Sequence, residues 1–136
     1  EVLVTGKVRA LDGNLLHVKA SSGFAVFALI PVDTAELKSA GRLTLFHLTN
    51  TQATDMRFGN ASLDRLESWG KTPFLAKHGT ASLSLDLPGN WKIHALDTAG
   101  NRLGEVTALK REHGFRVELD NFRFKDVVLA YELVKE

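Results

Sequence analysis

Two stretches of the chain alternate apolar and polar residues with period two. Ala81, Leu83, Leu85 and Leu87 alternate with Ser82, Ser84 and Asp86, and Phe115, Val117 and Leu119 alternate with Arg116, Glu118 and Asp120. Successive strand side chains point to opposite faces, so each stretch predicts a strand with one face in a core and one in water. Phe24 to Ile30 is instead almost wholly apolar, which predicts a strand covered on both faces. Pro31 ends it, because proline has no N–H for a ladder. Val2 to Leu11, Leu15 to Ala20, Leu43 to Leu48, Phe74 to Ala76, Trp91 to Leu96, Val106 to Lys110 and Val127 to Val134 complete the strand-like runs.

Turn residues separate these runs. Asp12-Gly13-Asn14 predicts a hairpin whose glycine takes a positive φ. Ser21-Ser22-Gly23, Pro88-Gly89-Asn90, Asp97 to Asn101 and His113-Gly114 punctuate the rest. About eight or nine short strands at this spacing predict an all-β antiparallel sandwich of the immunoglobulin-like, Greek-key type, as one domain over 1–136. At most one or two short helical turns are expected. Asp33-Thr34-Ala35-Glu36 has the form of a capping box, and Asn60 stands as an N-cap before Leu63 and Leu66.

Arg42 to Ala81 is the least regular stretch. An apolar run enters it at Leu43 to Leu48, and Phe74-Leu75-Ala76 leaves it just after Trp69-Gly70-Lys71-Thr72-Pro73. The residues between are mostly polar or turn-forming, which predicts two strands joined by a long ordered excursion.

The chain has 136 residues, 44% of them hydrophobic, which suits one globular domain. Its net charge is +1, from 17 basic and 16 acidic residues, and no basic stripe points to nucleic acid. No apolar run has the length of a membrane-spanning helix. With no cysteine there is neither a disulfide nor a thiolate site. The chain opens directly on strand-like Val2-Leu3-Val4, so we expect a piece of a longer protein.

No catalytic constellation is visible. His17, His47, His78, His94 and His113 show no H-x-x-x-H or H-x-H spacing. His47 sits in an apolar run and is expected as a hydrogen-bonded strand residue. The chain contains no G-x-S-x-G, G-x-G-x-x-G or Walker loop. Asp55, Asp64, Glu67, Asp97 and Glu105 carry no mark that separates a working carboxylate pair from surface charge. Asp97-x-x-Gly100-Asn101 lacks the regular acidic ligands of a calcium loop and predicts a β-turn. No metal or other cofactor is implied.

Aromatic rings are the remaining candidates for contact, since Trp and Tyr stack on the apolar faces of sugars. Trp91 shares a strand face with Ile93 and Ala95, and Tyr131 is flanked at period two by Leu129 and Leu133, so both are expected in the core. Trp69, followed by Gly70 and Pro73, is expected to plug the sandwich end or to meet a neighbouring domain. An exposed sugar platform is the alternative. Trp69, Phe74 and Trp91 are the candidate carbohydrate or interdomain contacts.

Arg42 to Val134 resembles the C-terminal β-sandwich of large bacterial glycoside hydrolases, which carry a (β/α)-barrel followed by all-β domains. The matching pieces are Arg42-Leu43-Thr44-Leu45, Asp55-Met56-Arg57-Phe58 and Trp69-Gly70-x-x-Pro73-Phe74-Leu75, then the alternating strand Ala81 to Leu87. Ala95-Leu96-Asp97-x-x-Gly100-x-Arg102-x-Gly104-Glu105-Val106 and Ala130-Tyr131-Glu132-Leu133 follow. One departure is Ala53-Thr54-Asp55 before Met56, where the family usually has Asn-Thr-Gly. The resemblance implies a non-catalytic accessory domain that packs on the catalytic domain of the same chain or on an oligomer partner. Polysaccharide binding through exposed aromatic residues is the alternative. It also implies a secreted or periplasmic parent protein, and it carries over no catalytic residue.

Overall fold

The computed structural model describes residues 1–6, 9–33 and 36–136. It contains fifteen strands: β1 (Val2–Thr5), β2 (Leu11–Asp12), β3 (Leu16–Ser21), β4 (Ala25–Pro31), β5 (Arg42–Leu48), β6 (Thr51–Thr54), β7 (Arg57–Phe58), β8 (Leu66–Ser68), β9 (Lys71–Ala76), β10 (Thr80–Leu85), β11 (Trp91–Leu96), β12 (Arg102–Val106), β13 (Ala108–Arg111), β14 (Gly114–Asp120) and β15 (Ala130–Lys135). A six-stranded sheet runs β1-β4-β5-β15-β11-β12 and a five-stranded sheet runs β13-β14-β10-β3-β2, with every pairing antiparallel. Leu16, Val18, Leu83, Leu85, Phe115, Val117 and Leu119 from one sheet close on Phe27, Leu29, Leu43, Leu45, Ile93, Tyr131 and Leu133 from the other. This is the antiparallel sandwich that the alternating pattern predicts.

Fifteen strands exceed the expected eight or nine for two reasons. The runs Val2 to Leu11 and Val106 to Lys110 each divide between the sheets, with β1 pairing β4 and β2 pairing β3, and β12 pairing β11 and β13 pairing β14. The excursion contributes β6, β7 and β8, which are too short and polar to stand out in sequence, beside the expected run at Phe74 to Ala76, which lies in β9. No helix occurs among the described residues. The expected capping box at Asp33-Thr34-Ala35-Glu36 lies partly outside them. Beyond it, Ala40 N–H bonds Glu36 O (3.1 Å) and closes one turn. At the second expected turn, Leu63 takes a φ of 60°. There Asn60 Oδ1 accepts from Arg65 N–H (3.3 Å), which makes a loop and not a helix.

The hairpin at Asp12-Gly13-Asn14 forms, but Gly13 is needed for space and not for a positive φ. A Cβ there would collide with the Glu1 carboxylate and the Leu16 carbonyl. That carboxylate accepts from the N–H groups of Asn14 (2.5 Å), Leu15 (2.9 Å) and Leu16 (3.1 Å), tying the start of the chain to the β2–β3 turn. Those three bonds, with the positive terminal amine close by, hold its pKa below the usual carboxylate range although burial pushes it up.

The expected wet face of β10 is covered. Ser82 and Ser84 are buried, because β10 is central in its sheet and long charged side chains lie across it. Arg116 Nε donates to Ser82 Oγ (2.9 Å), which donates in turn to Glu118 Oε1 (2.9 Å). Arg111, on β13 at the far side of β14, reaches Ser84 Oγ (3.4 Å).

Candidate functional site

Residues 49 to 77 form an arm that leaves the sandwich between β5 and β10. Its inner part is a two-stranded ladder of β6 and β9, with Gln52 opposite Leu75 and Ala53 opposite Phe74. Its outer part pairs β7 with β8. Gly70 joins them at a φ of 70°, where any Cβ would strike Thr54 O and Met56 N.

The arm's base is held by the side chains of Asn121 and Thr49. Asn121, fully buried, donates from Nδ2 to Lys77 O (3.0 Å) and Thr49 Oγ1 (3.3 Å). Its Oδ1 accepts from Gly79 N–H (2.8 Å). Thr49 Oγ1 donates to Lys77 O (2.6 Å), and Lys77 N–H bonds Asn50 O (2.8 Å). Nothing in the sequence marked Asn121, which looks like one more polar loop residue.

Beyond this base much of the arm is exposed, although Ala53 is buried and Phe58 and Leu66 are half-buried. Trp69 is 79% exposed and Phe74 73% exposed, and Leu63 and Leu75 are exposed as well. Residues 71–75 are exposed at both odd and even positions, so neither face of β9 packs on a core. Trp69 therefore does not plug the sandwich, which corrects that expectation. Trp91 is in the core at 9% exposure, with Nε1 donating to Pro88 O (3.2 Å), so its ring offers no contact surface. Of the three candidate residues, only Trp69 and Phe74 lie together on the arm.

A second uncovered surface lies on the outer face of the six-stranded sheet. Register sets Val4, Val26 and Leu48 in one cross-strand row. Val2, Ala28, Phe46, Ala130 and Leu96 make the next. The row beyond turns polar, with Ile30, Thr44, Glu132, His94 and Glu105. The all-apolar run of β4 predicts cover on both faces, yet Ile30 is exposed and Val26 only half-buried. One face of β4 packs inside the sandwich; on the other Ala28 is buried, while Val26 is half-buried and Ile30 exposed.

The polar half of that face centres on Glu132, which is buried. Arg42 and Arg102 each fork onto one of its oxygens, Arg42 through Nε at 2.5 Å and Arg102 through Nε at 2.7 Å. Burial pushes the carboxyl up, but these bonds outweigh it and hold its pKa below the usual range.

A groove of about 610 Å³ lies on the five-stranded sheet and is lined by Asp12, His17, Lys19, Asp86, Arg111 and neighbours. His17 lies between two carboxylates, Nδ1 at 3.1 Å from Asp12 and Nε2 at 3.1 Å from Asp86, and Lys19 also pairs Asp12 (2.7 Å). These groups pair with one another, while Glu112 and His113, which also line the groove, lie 3.9 Å apart. Among the described residues no group of three or more metal-ligating side chains converges. Asp97 caps its own turn, accepting from Ala99 N–H (2.9 Å) and Asn101 N–H (2.8 Å), with Gly100 at a φ of 88°. The side chain and backbone of Asn101 hold its carboxyl low.

No protein-family model matches this chain, and no curated protein or solved structure is significantly similar to it.

Proposed function

We propose that this chain is a non-catalytic accessory domain that holds a larger neighbour through its arm. The observation that carries this is the exposure of Trp69 and Phe74, with residues 71–75 of β9 exposed on both faces. A two-stranded ribbon is marginal in water without a third strand or a covering face. Exposed aromatic side chains are the commonest anchors of protein contacts. The resemblance to glycoside hydrolase sandwiches makes the neighbour the catalytic barrel of the same polypeptide. Asp55 supports it: where the family has glycine, Asp55 takes a φ of 61°, a conformation that glycine adopts freely.

The second reading is a carbohydrate-binding module, favoured by the open Trp69 ring. Two experiments separate them. A photo-crosslinking amino acid at position 69 or 74 of the natural gene product should capture a segment of a catalytic barrel in the same polypeptide. Crosslinks confined to residues 1–136 would end the docking reading. Affinity electrophoresis against a panel of plant and algal polysaccharides should show no retardation. Retardation abolished by Trp69→Ala would establish the carbohydrate reading instead.

A further inference from the structure

We propose that a second copy of this chain pairs with the β1 edge, joining two six-stranded sheets across a two-fold axis. The inference starts from the four strands that end the two sheets. Exposed strand edges are templates for pairing, and natural proteins blunt them with charge, shortness or bulges. β2 has two residues. β13 carries Lys110 and Arg111. β12 carries Arg102 and Glu105, and its ladder with β11 is broken by a register shift at Ala95/Leu96. β1, Val2-Leu3-Val4-Thr5, has no charge, no proline and no register shift.

Its backbone groups face the right way. Glu1 and Leu29 exchange both hydrogen bonds, Glu1 N to Leu29 O at 2.9 Å and Leu29 N–H to Glu1 O at 2.8 Å. Alternation along an antiparallel ladder then makes Leu3 and Phe27 the next bonded pair, and turns the N–H and C=O groups of Val2 and Val4 away from β4. No strand among the described residues pairs on that side.

The occupant follows from symmetry. An antiparallel pair of identical strands is self-complementary, so a two-fold axis beside Leu3 sets Val2 of each copy against Val4 of the other. Both backbone bonds of each such pair then form. The side chains agree, because Val2 and Val4, 60% and 53% exposed, stand on the outer face at the head of the two apolar rows. Pairing joins the rows Val4-Val26-Leu48 and Val2-Ala28-Phe46 of one copy to those of the other. The contact is smaller than the roughly 800 Å² per partner of a standard interface, so the dimer is weak and depends on concentration.

Sedimentation velocity over a wide concentration range tests this. The unaltered chain should move toward the dimer as concentration rises. Val4→Lys sets an ammonium in the joined apolar row, and Val4→Pro removes an N–H aimed at the partner while sparing the β4 ladder. Both variants should stay monomeric with melting curves close to that of the parent. A parent chain that stays monomeric throughout, or a dimer that survives Val4→Lys or Val4→Pro, overturns the proposal. Trp69 and Phe74 take no part in this contact, so its failure leaves the arm's role untouched.

Discussion

The His47 imidazole lies stacked on the Phe27 ring inside the sandwich, centroids 5.0 Å apart and planes 16° from parallel. The two residues face each other across the β4–β5 ladder. His47 is fully buried, and neither ring nitrogen has a hydrogen-bond partner. This corrects the expectation of a hydrogen-bonded strand histidine. Burial pushes its pKa down to about 4, against a slight opposing pull from Asp120.

A pH dependence follows. Folded His47 stays neutral, while in the unfolded chain it takes up a proton near pH 6.5. The unfolded state therefore binds more protons between those values. The stability from His47 is fully present above pH 6.5 and is lost as pH falls toward 4, amounting to about 2–3 kcal/mol by pH 4.5. Urea unfolding at pH 7.5 and 4.5 should show this difference in excess of that for His47→Phe. A variant with the same pH slope as the parent would contradict it.

Tyr131 shares the same interior, and its hydroxyl is also buried without a partner. Removing a polar atom that makes no bond costs nothing in bonding and relieves its desolvation. Tyr131→Phe should leave stability unchanged or raise it by up to about 1 kcal/mol, as read from urea midpoints. A loss of more than that amount would show that the hydroxyl is satisfied.

The two tryptophans should separate cleanly in thermal melts. Trp91→Ala opens a core cavity and should cost about 3–5 kcal/mol. Trp69→Ala, on the exposed arm, should change stability by no more than about 0.5 kcal/mol. Comparable losses for both would restore the plug reading of Trp69.

Asn121 makes a prediction about the arm alone. Asn121→Ala leaves Gly79 N–H without its partner and takes from Lys77 O one of its two side-chain donors, Thr49 Oγ1 remaining, and should cost about 1–3 kcal/mol. Hydrogen exchange should quicken at the arm's base, in residues 49 to 54 and 71 to 77, more than in β10 or β14. Uniform quickening across the sandwich would deny Asn121 a local role.

The sandwich was legible where one face is wet and the other dry. Period two at Phe115 to Leu119 gave β14 its core side, and the same logic put Trp91 and Tyr131 inside. It misled at β10, because Ser82 and Ser84 are polar yet lie under Arg116 and Arg111, and period two cannot tell water from a neighbour's side chain. It misled again at β4, where an unbroken apolar run promised cover that Val26 and Ile30 lack. Asn121 was invisible because its three partners, at positions 49, 77 and 79, are distant in sequence. The exposure of Trp69 could not be read either, since Gly70 and Pro73 serve a buried plug and an outward arm equally well.

The most direct measurement is acrylamide quenching of Trp69 fluorescence in a Trp91→Phe background. It should be made on residues 1–136 alone and on the natural gene product, with any further tryptophans of that product replaced by Phe. In the isolated chain Trp69 should emit like tryptophan in water and quench freely. In the natural product its emission should shift to the blue and quenching should fall, as the neighbour covers the ring. Equal, free quenching in both would contradict the account, and so would a Trp69 already shielded in the isolated chain.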